Sequence, residues 1–139
     1  MVTKRYGAAG LVLLLLAAGP ALAESDAPVA DAAQKKDRVE VAALLRKGAD
    51  VNAGQVDGRT ARHWAAYHDD LPTATLLVKA GANARAGNRY SVTPLSLACT
   101  NGSTEVVLLL LKAGADPNTT LRGGETALMT AARRGRSGR

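Results

Sequence analysis

Few side chains in this sequence could do chemistry, and their types and spacing argue against a catalytic or metal site. His63 and His68 are five positions apart. At about 100° per residue they do not share a helix face, as metal ligands at i and i+4 would. Asp69 and Asp70 could suggest paired carboxylates, but acid–base catalysis would also need a pocket and perturbed pKa values, so we expect solvated side chains. Neither a phosphate-binding Gly-rich loop after a strand nor a Gly-x-Ser-x-Gly element occurs. We therefore expect a protein without catalytic activity, cofactor or metal.

Cys99 is the only cysteine of the 139 residues. An intrachain disulfide and a Cys-rich zinc site are therefore both excluded. We expect this side chain to be buried and to serve packing rather than nucleophilic catalysis, because the N-terminal pattern described below predicts export to an oxidising compartment, where an exposed thiol would be oxidised.

Composition predicts one small domain in which Ala, Leu and Val form the core, since aromatic residues make up 3% of the chain and Phe is absent. The net charge of +6 arises from 18 basic and 12 acidic residues. Six of the basic residues lie at the two ends of the chain, so the rest of the chain has equal numbers of basic and acidic residues. We therefore expect neither a basic groove nor a nucleic-acid partner. The six are Lys4, Arg5, Arg133, Arg134, Arg136 and Arg139.

The first 23 residues have the pattern of a secretory signal peptide. Lys4 and Arg5 precede an apolar run, and Ala21-Leu22-Ala23 supplies small residues for signal peptidase. A membrane anchor is the alternative, but the run has 12 residues even when counted from 7 to 18, and a span takes about 20. We expect cleavage after Ala23, export to a bacterial periplasm and no stable membrane anchor afterwards.

The rest of the chain repeats with a period of 33 residues, which is the length of a solenoid repeat. Gly48, Gly81 and Gly114 mark the period, and each is followed by Ala and then by Asp or Asn. Thr60, Thr93 and Thr126 keep the same step, as do small-residue pairs five and six positions after each Thr, namely Ala65-Ala66, Ala98-Cys99 and Ala131-Ala132.

Each repeat predicts two short helices and a turn. The Thr residues are candidate N-caps for a first helix. Aliphatic residues at i, i+3 and i+4 predict a second helix with one buried stripe, and the Gly that follows ends this helix. The twelve positions from each Gly to the next Thr suffice only for a turn or hairpin. A helix pair this short must stack on its neighbours to bury its apolar side chains. The predicted stripes are Val41, Leu44 and Leu45; Ala74, Leu77 and Val78; and Val107, Leu110 and Leu111.

These motifs resemble those of the ankyrin repeat family. The segment 57–66, Asp-Gly-Arg-Thr-Ala-Arg-His-Trp-Ala-Ala, is similar to the family's Asp-Gly-x-Thr-Pro-Leu-His-x-Ala-Ala opening, and Thr93-Pro94-Leu95 matches it more closely. The segment 48–53 matches the closing motif at every residue. The sequence departs from the family at Ala61 and Arg62, which replace Pro and Leu, at Ser96, which replaces His, and at Ser91, which replaces a turn Gly. Ser91 implies either a different turn or a strained positive φ.

The resemblance implies an all-α solenoid of stacked helix-turn-helix units joined by β-hairpin-like turns. It also implies a structural hydrogen bond from His63 to the loop backbone, and binding of a protein partner of unknown identity. We place a short lead at 24–27, ankyrin-like repeats at 28–53, 54–86 and 87–119, a partial repeat at 120–135 and a disordered basic tail at 136–139.

In ankyrin-like stacks the turn tips and the exposed edge of the first helices form a concave surface. Tyr and Arg are enriched among binding hot spots, so Tyr67, Arg89, Tyr90 and Arg122 are the leading candidates for partner contact. Trp64 is expected to pack within the helix layer instead. The full predicted set is Arg59, Tyr67, His68, Arg89, Tyr90, Thr100, Asn101 and Arg122.

The fourth repeat has a first helix and no second one, because the sequence ends in Arg-Arg-Gly-Arg-Ser-Gly-Arg. We therefore expect either a monomer or a part of a longer array. Two alternatives to a protein-binding module stay open. One is a repeat appendage of a longer protein whose functional region lies beyond residue 139. The other is a domain that binds a metal or small molecule.

Overall fold

The computed structural model describes residues 25–121 and 123–137, in which seven α-helices are joined by tight turns. Within these ranges there is no strand, only an isolated antiparallel bridge between Thr120 and Thr126. The predicted all-α repeat fold is confirmed. The helices are α1 (Pro28–Gln34), α2 (Arg38–Arg46), α3 (Ala61–Tyr67), α4 (Leu71–Lys79), α5 (Pro94–Asn101), α6 (Thr104–Lys112) and α7 (Ala127–Ser137).

Several helices begin at a residue whose side-chain oxygen caps them. Asp37 accepts a hydrogen bond from the Glu40 amide at 2.9 Å at the start of α2. Thr93 Oγ1 accepts from the Ser96 amide at 3.1 Å at the start of α5, as the threonine pattern predicted. Each such bond satisfies an amide that has no partner inside its helix.

Three hairpin turns connect successive repeats, and their hydrogen bonds recur with the 33-residue period. The amides of Gln55, Asn88 and Leu121 donate to the carbonyls four residues later at 2.8, 3.0 and 2.8 Å. The residue before the accepting carbonyl has a positive φ in every turn, and two of the three are Gly. Ser91 is the exception and has φ +61°. The strained conformation is therefore the one that occurs, and the turn itself is unchanged.

The helices form two layers, and the stack is built by contacts along each layer. The inner layer contains α1, α3, α5 and α7, each packed on the next, and the outer layer contains α2, α4 and α6. Small side chains in the inner layer, including the buried Ala65, Ala66 and Ala98, allow the helix axes to approach closely. Cys99 is 5% exposed, which confirms its packing role, and burial raises the pKa of its thiol.

Burial of the predicted apolar stripes is complete only where a neighbouring repeat covers them. Val41, Leu77 and Leu110 are fully buried. Leu111 was predicted to be buried but is 38% exposed. The described residues place no outer-layer helix beyond α6, so nothing there covers its far side. Helix α7 runs to Ser137, two residues into the segment predicted to be a disordered tail.

Arg62 is buried at a position that the repeat pattern fills with an aliphatic side chain. Its counterparts one period away, Val29 and Leu95, are 1% and 2% exposed, and Arg62 itself is 1% exposed. One guanidinium nitrogen, Nη1, donates to the Ala82 carbonyl at 2.8 Å. The Nε and Nη2 atoms are buried without a hydrogen-bond partner.

Candidate functional site

The hairpin turns and the inner helices border a groove on the predicted concave surface. The groove has a volume of about 630 Å³. Residues from α1, from the first two hairpin turns and from α3 line it, and so do residues of the N-terminal lead. Its wall includes Arg59, Trp64, Arg89 and Tyr90. Three residues of the predicted set, Arg59, Arg89 and Tyr90, therefore lie together at one site.

The Gln55 side chain forms hydrogen bonds to three other side chains that line this groove. Its Nε2 donates to Asp31 Oδ1 at 2.6 Å and to Gln34 Oε1 at 2.9 Å. Its Oε1 accepts from Trp64 Nε1 at 2.9 Å. Hydrogen bonds from Ser25 and from Gln55 lower the pKa of Asp31. The amide group of Gln55 thus joins α1, the first hairpin turn and α3 through four side chains, which gives the groove a defined shape.

Trp64 is the centre of an aromatic cluster on α3. The Arg59 guanidinium lies 4.9 Å from the centre of the indole ring, and Arg59 Nε is 3.1 Å from Asp57 Oδ2. Tyr67 meets the indole edge-on with ring centres 5.7 Å apart, and the His68 ring stacks on it at 5.8 Å. Trp64 is 9% exposed, so its predicted packing role is confirmed, whereas Tyr67 is 54% exposed.

Arg89 and Tyr90 form the tip of the second hairpin turn. The Arg89 amide donates to the Asp57 carbonyl at 3.0 Å, which joins this tip to the preceding one. The Tyr90 amide is held by Asn88 Oδ1 at 2.9 Å, while its side chain is 56% exposed. The Arg89 guanidinium is exposed and has no ion-pair partner among residues 25–121 and 123–137. Rigid backbone therefore carries two accessible side chains of the hot-spot types.

His68 and Asn101 have side chains that hold neighbouring inner helices together. His68 Nε2 donates to the Gln34 carbonyl at 2.9 Å. Asn101 Nδ2 donates to the carbonyls of Ala66 and Tyr67 at 3.1 and 2.7 Å. In the next repeat, Arg134 donates to the Thr100 carbonyl. These donors add hydrogen bonds to carbonyls near helix ends, where partners inside the helix run out, so two predicted contact residues also have a structural role.

The buried His63 joins the second and third repeats, as the resemblance implied. The Val92 carbonyl can only accept, so the ring donates to it through Nε2 at 2.9 Å. Its Nδ1 atom therefore accepts from the Thr60 amide, at 3.1 Å. Burial lowers the pKa of His63, mainly because it disfavours the charged ring. In the third repeat Ser96 takes this position, and its hydroxyl donates to the Thr93 carbonyl of its own helix start at 2.7 Å.

The carboxylates considered for catalysis lie in a structural turn. Asp70 caps α4 by accepting from the Thr73 amide at 3.2 Å and pairs with Arg38 at 3.1 Å. Burial raises the pKa of Asp70, but hydrogen bonds from Thr73 and the nearby charge of Arg38 outweigh it, and the net shift is downward. Asp69 lies in the left-handed region at φ +54°. The pair is therefore built into the interhelix turn.

A metal-binding cluster and a membrane-spanning helix are both absent from the part of the chain that the structure describes. No group of three or more His, Cys, Asp or Glu side chains there is arranged to hold a metal ion. No helix in the same residues has the length and apolarity that crossing a membrane requires.

Of the eight predicted contact residues, all but Arg122 are described. The exposed ones are Tyr67, Arg89, Tyr90, Thr100 and Asn101, and Arg59 and His68 are half-buried. The predicted signal peptide, 1–23, also lies outside the described residues. The sequence interpretation missed Gln34 and Gln55 in the groove. Gln34 could have been found, because it lies one period before Tyr67 and two before Thr100.

The chain matches the model of a known protein family. A family model described as ankyrin repeats (3 copies) matches residues 6–121, which is well over half of the chain. The match begins inside the segment predicted to be a signal peptide. No curated protein that was compared matches the chain.

Proposed function

Because the chain belongs to the ankyrin repeat family, whose repeats generally mediate protein–protein binding, we propose that this protein recognises a protein partner through its concave surface without catalysis. The observation that carries the proposal is that this surface combines ordered supporting side chains with exposed aromatic rings. The side chains beneath it are fixed by hydrogen bonds from Gln55, and above them Tyr67 and Tyr90 leave more than half of their area exposed.

Rigid presentation is the mechanism that this arrangement supports. Arg59 is held over the Trp64 ring, and the Arg89 backbone is tied to the preceding turn. Ordering a long side chain on binding costs about 0.5–1.5 kcal/mol. A surface whose backbone and supporting side chains are already ordered avoids much of this cost, so a larger share of the contact energy contributes to affinity.

We further propose that the protein is exported to a bacterial periplasm. Lys4 and Arg5 before an apolar run, followed by Ala21-Leu22-Ala23, support a cleaved signal peptide. N-terminal sequencing of the protein from its native cells tests this proposal. A mature chain that begins at Glu24 is the expected result, and a full-length chain in the cytoplasmic fraction contradicts it.

Partner capture from the native compartment tests the binding function. Tyr67 is replaced by p-benzoylphenylalanine, which keeps an aromatic ring and forms a covalent bond to its neighbour under ultraviolet light. We expect a discrete crosslinked species that weakens when Tyr90→Ala or Arg89→Ala is added. Crosslinking that is equally strong in both variants excludes this surface as the binding site.

A further inference from the structure

The two halves of the mature chain differ in charge. Residues 24–86 contain nine basic and nine acidic side chains. Residues 87–139 contain seven basic side chains (Arg89, Lys112, Arg122, Arg133, Arg134, Arg136 and Arg139) and three acidic ones (Glu105, Asp116 and Glu125). The excess positive charge of the mature sequence therefore belongs to its C-terminal half.

The structure places part of this charge on the inner-layer side. A second groove, of about 380 Å³, is lined by Thr100, Thr130, Arg133 and Arg134. Glu125 pairs with Arg133 at 2.9 Å and neutralises one charge, although the Arg133 side chain is still 72% exposed. The other two acidic residues, Glu105 and Asp116, lie in the outer helix α6 and in the segment that follows it. Arg89, which lines the first groove, lies in the third repeat. Among the described residues on the inner side of the third and fourth repeats, Arg89, Arg133 and Arg134 thus outnumber Glu125.

We infer that the partner presents an acidic protein segment to this half of the concave surface. This inference rests on the proposed function and adds the chemistry of the partner. Carboxylates of the segment pair with Arg89 and Arg133, and its apolar groups contact the exposed ring of Tyr90. Complementary charge increases the rate of encounter and fixes the orientation of the bound segment.

The acidic residues of the first groove favour a short acidic segment over a continuous polyanion. Arg89 and Tyr90 of the third repeat line this groove together with Asp26, Asp31 and Asp57. Asp57 is paired with Arg59, whereas Asp26 and Asp31 belong to the N-terminal lead and the first repeat. A nucleic acid or an anionic membrane that extended across all the repeats would meet Asp26 and Asp31, and like charges there oppose binding. A peptide segment that extends from the fourth repeat to Arg89 and Tyr90 can end before it reaches the first repeat.

Charge reversal on two faces tests the inference directly. The probe is fluorescein-labelled octaglutamate, and its binding to the mature chain is followed by fluorescence anisotropy at low and physiological ionic strength. We expect Arg89→Glu with Arg133→Glu to weaken binding by about tenfold or more, since each exposed charge pair contributes up to about 1 kcal/mol. The matched control is Arg46→Glu with Lys112→Glu, which changes the net charge equally on the outer layer. We expect less than about a threefold loss there.

Three outcomes overturn the inference. An equal loss in the two double variants shows attraction by net charge alone. Failure of octaglutamate to bind the unaltered chain removes the acidic specificity. Tighter binding of duplex DNA or of phosphatidylglycerol vesicles than of octaglutamate, with the same dependence on Arg89 and Arg133, identifies a polyanion as the ligand. Far-UV circular dichroism of each variant verifies that it is folded.

Failure of this inference is distinguishable from failure of the proposed function. If the Arg89→Glu, Arg133→Glu variant captures the partner through position 67 equally well while Tyr90→Ala still weakens capture, the acidic chemistry is wrong and the binding function stands. If no partner crosslinks in the unaltered background, the function itself is wrong.

Discussion

Replacement of Arg62 by leucine is expected to stabilise the protein. Arg62 occupies a position where the neighbouring repeats have Val29 and Leu95, and all three side chains are at most 2% exposed. Burial lowers the pKa of the Arg62 guanidinium, which shows that the folded state disfavours its charge. A leucine there restores the apolar contact that the repeat pattern uses, and it removes two buried nitrogens that have no partner.

The size of the effect follows from these contacts. A buried donor without a partner costs about 1–3 kcal/mol. Replacing a buried charge by a well-packed apolar side chain commonly stabilises by about 1–4 kcal/mol. Loss of the hydrogen bond from Nη1 to the Ala82 carbonyl offsets about 1 kcal/mol of that gain. We therefore expect the free energy of unfolding to rise by about 2 kcal/mol, and Tm by roughly 8 °C for a domain of this size.

Urea denaturation at neutral pH measures the change, with the fluorescence of Trp64, the only tryptophan, as a probe of the second repeat. Far-UV circular dichroism follows the whole stack. Arg89→Leu is the matched control, because it removes the same charge from an exposed side chain, and we expect its stability to stay within about 0.5 kcal/mol of the unaltered protein. A lower midpoint for Arg62→Leu, or one equal to that of the control, would refute the reasoning.

Three further predictions concern the repeat geometry. Ser91→Gly should stabilise the protein by about 0.5–1 kcal/mol, because glycine adopts the positive φ without the steric strain of a side chain. Gly58→Ala should destabilise it, because a Cβ there would lie 3.3 Å from backbone atoms. Thermal unfolding of both variants checks the two signs. The free energy of unfolding should fall as pH decreases below about 6.5, by up to about 1.4 kcal/mol per pH unit, because only the unfolded chain then binds a proton at His63. Urea midpoints between pH 8 and 5 measure this slope, and a slope unchanged in His63→Gln contradicts the assignment. Leu95→Ala should cost about 2–5 kcal/mol and Leu128→Ala less than about 1, since they are 2% and 69% exposed; equal losses would show that burial does not distinguish these equivalent positions.

The repeat period made the fold predictable, because a 33-residue step assigns equivalent residues to equivalent places. It therefore placed the helix caps and the buried stripes. The family resemblance left two possibilities at Ser91, a different turn or a strained positive φ, and the structure has the positive φ. The prediction that Leu111 is buried was wrong, because periodicity identifies the face of a helix but does not supply the neighbour that covers it. Burial depends on that neighbour.

Long polar side chains account for most of what the sequence did not predict in the candidate site. The network around Gln55 depends on which atoms its amide reaches, and a register does not specify rotamers. His68 and Asn101 were identified as exposed edge residues, but each also reaches a carbonyl 34 or 35 residues away. His68, Asn101 and Arg134 are spaced by 33 residues. This spacing could have indicated that each side chain bonds to the preceding repeat.

A crosslinking scan at equivalent positions of three repeats tests the central claim most directly. The photoreactive residue is placed in turn at Gln34, Tyr67 and Thr100, which lie one period apart and are all exposed on the inner layer. The matched positions are Val39, Pro72 and Glu105, which are equally spaced and are all exposed on the outer layer. The account predicts that one partner is captured from the inner positions and not from the outer ones. Capture from the outer positions alone, or with equal yield from both layers, would contradict it.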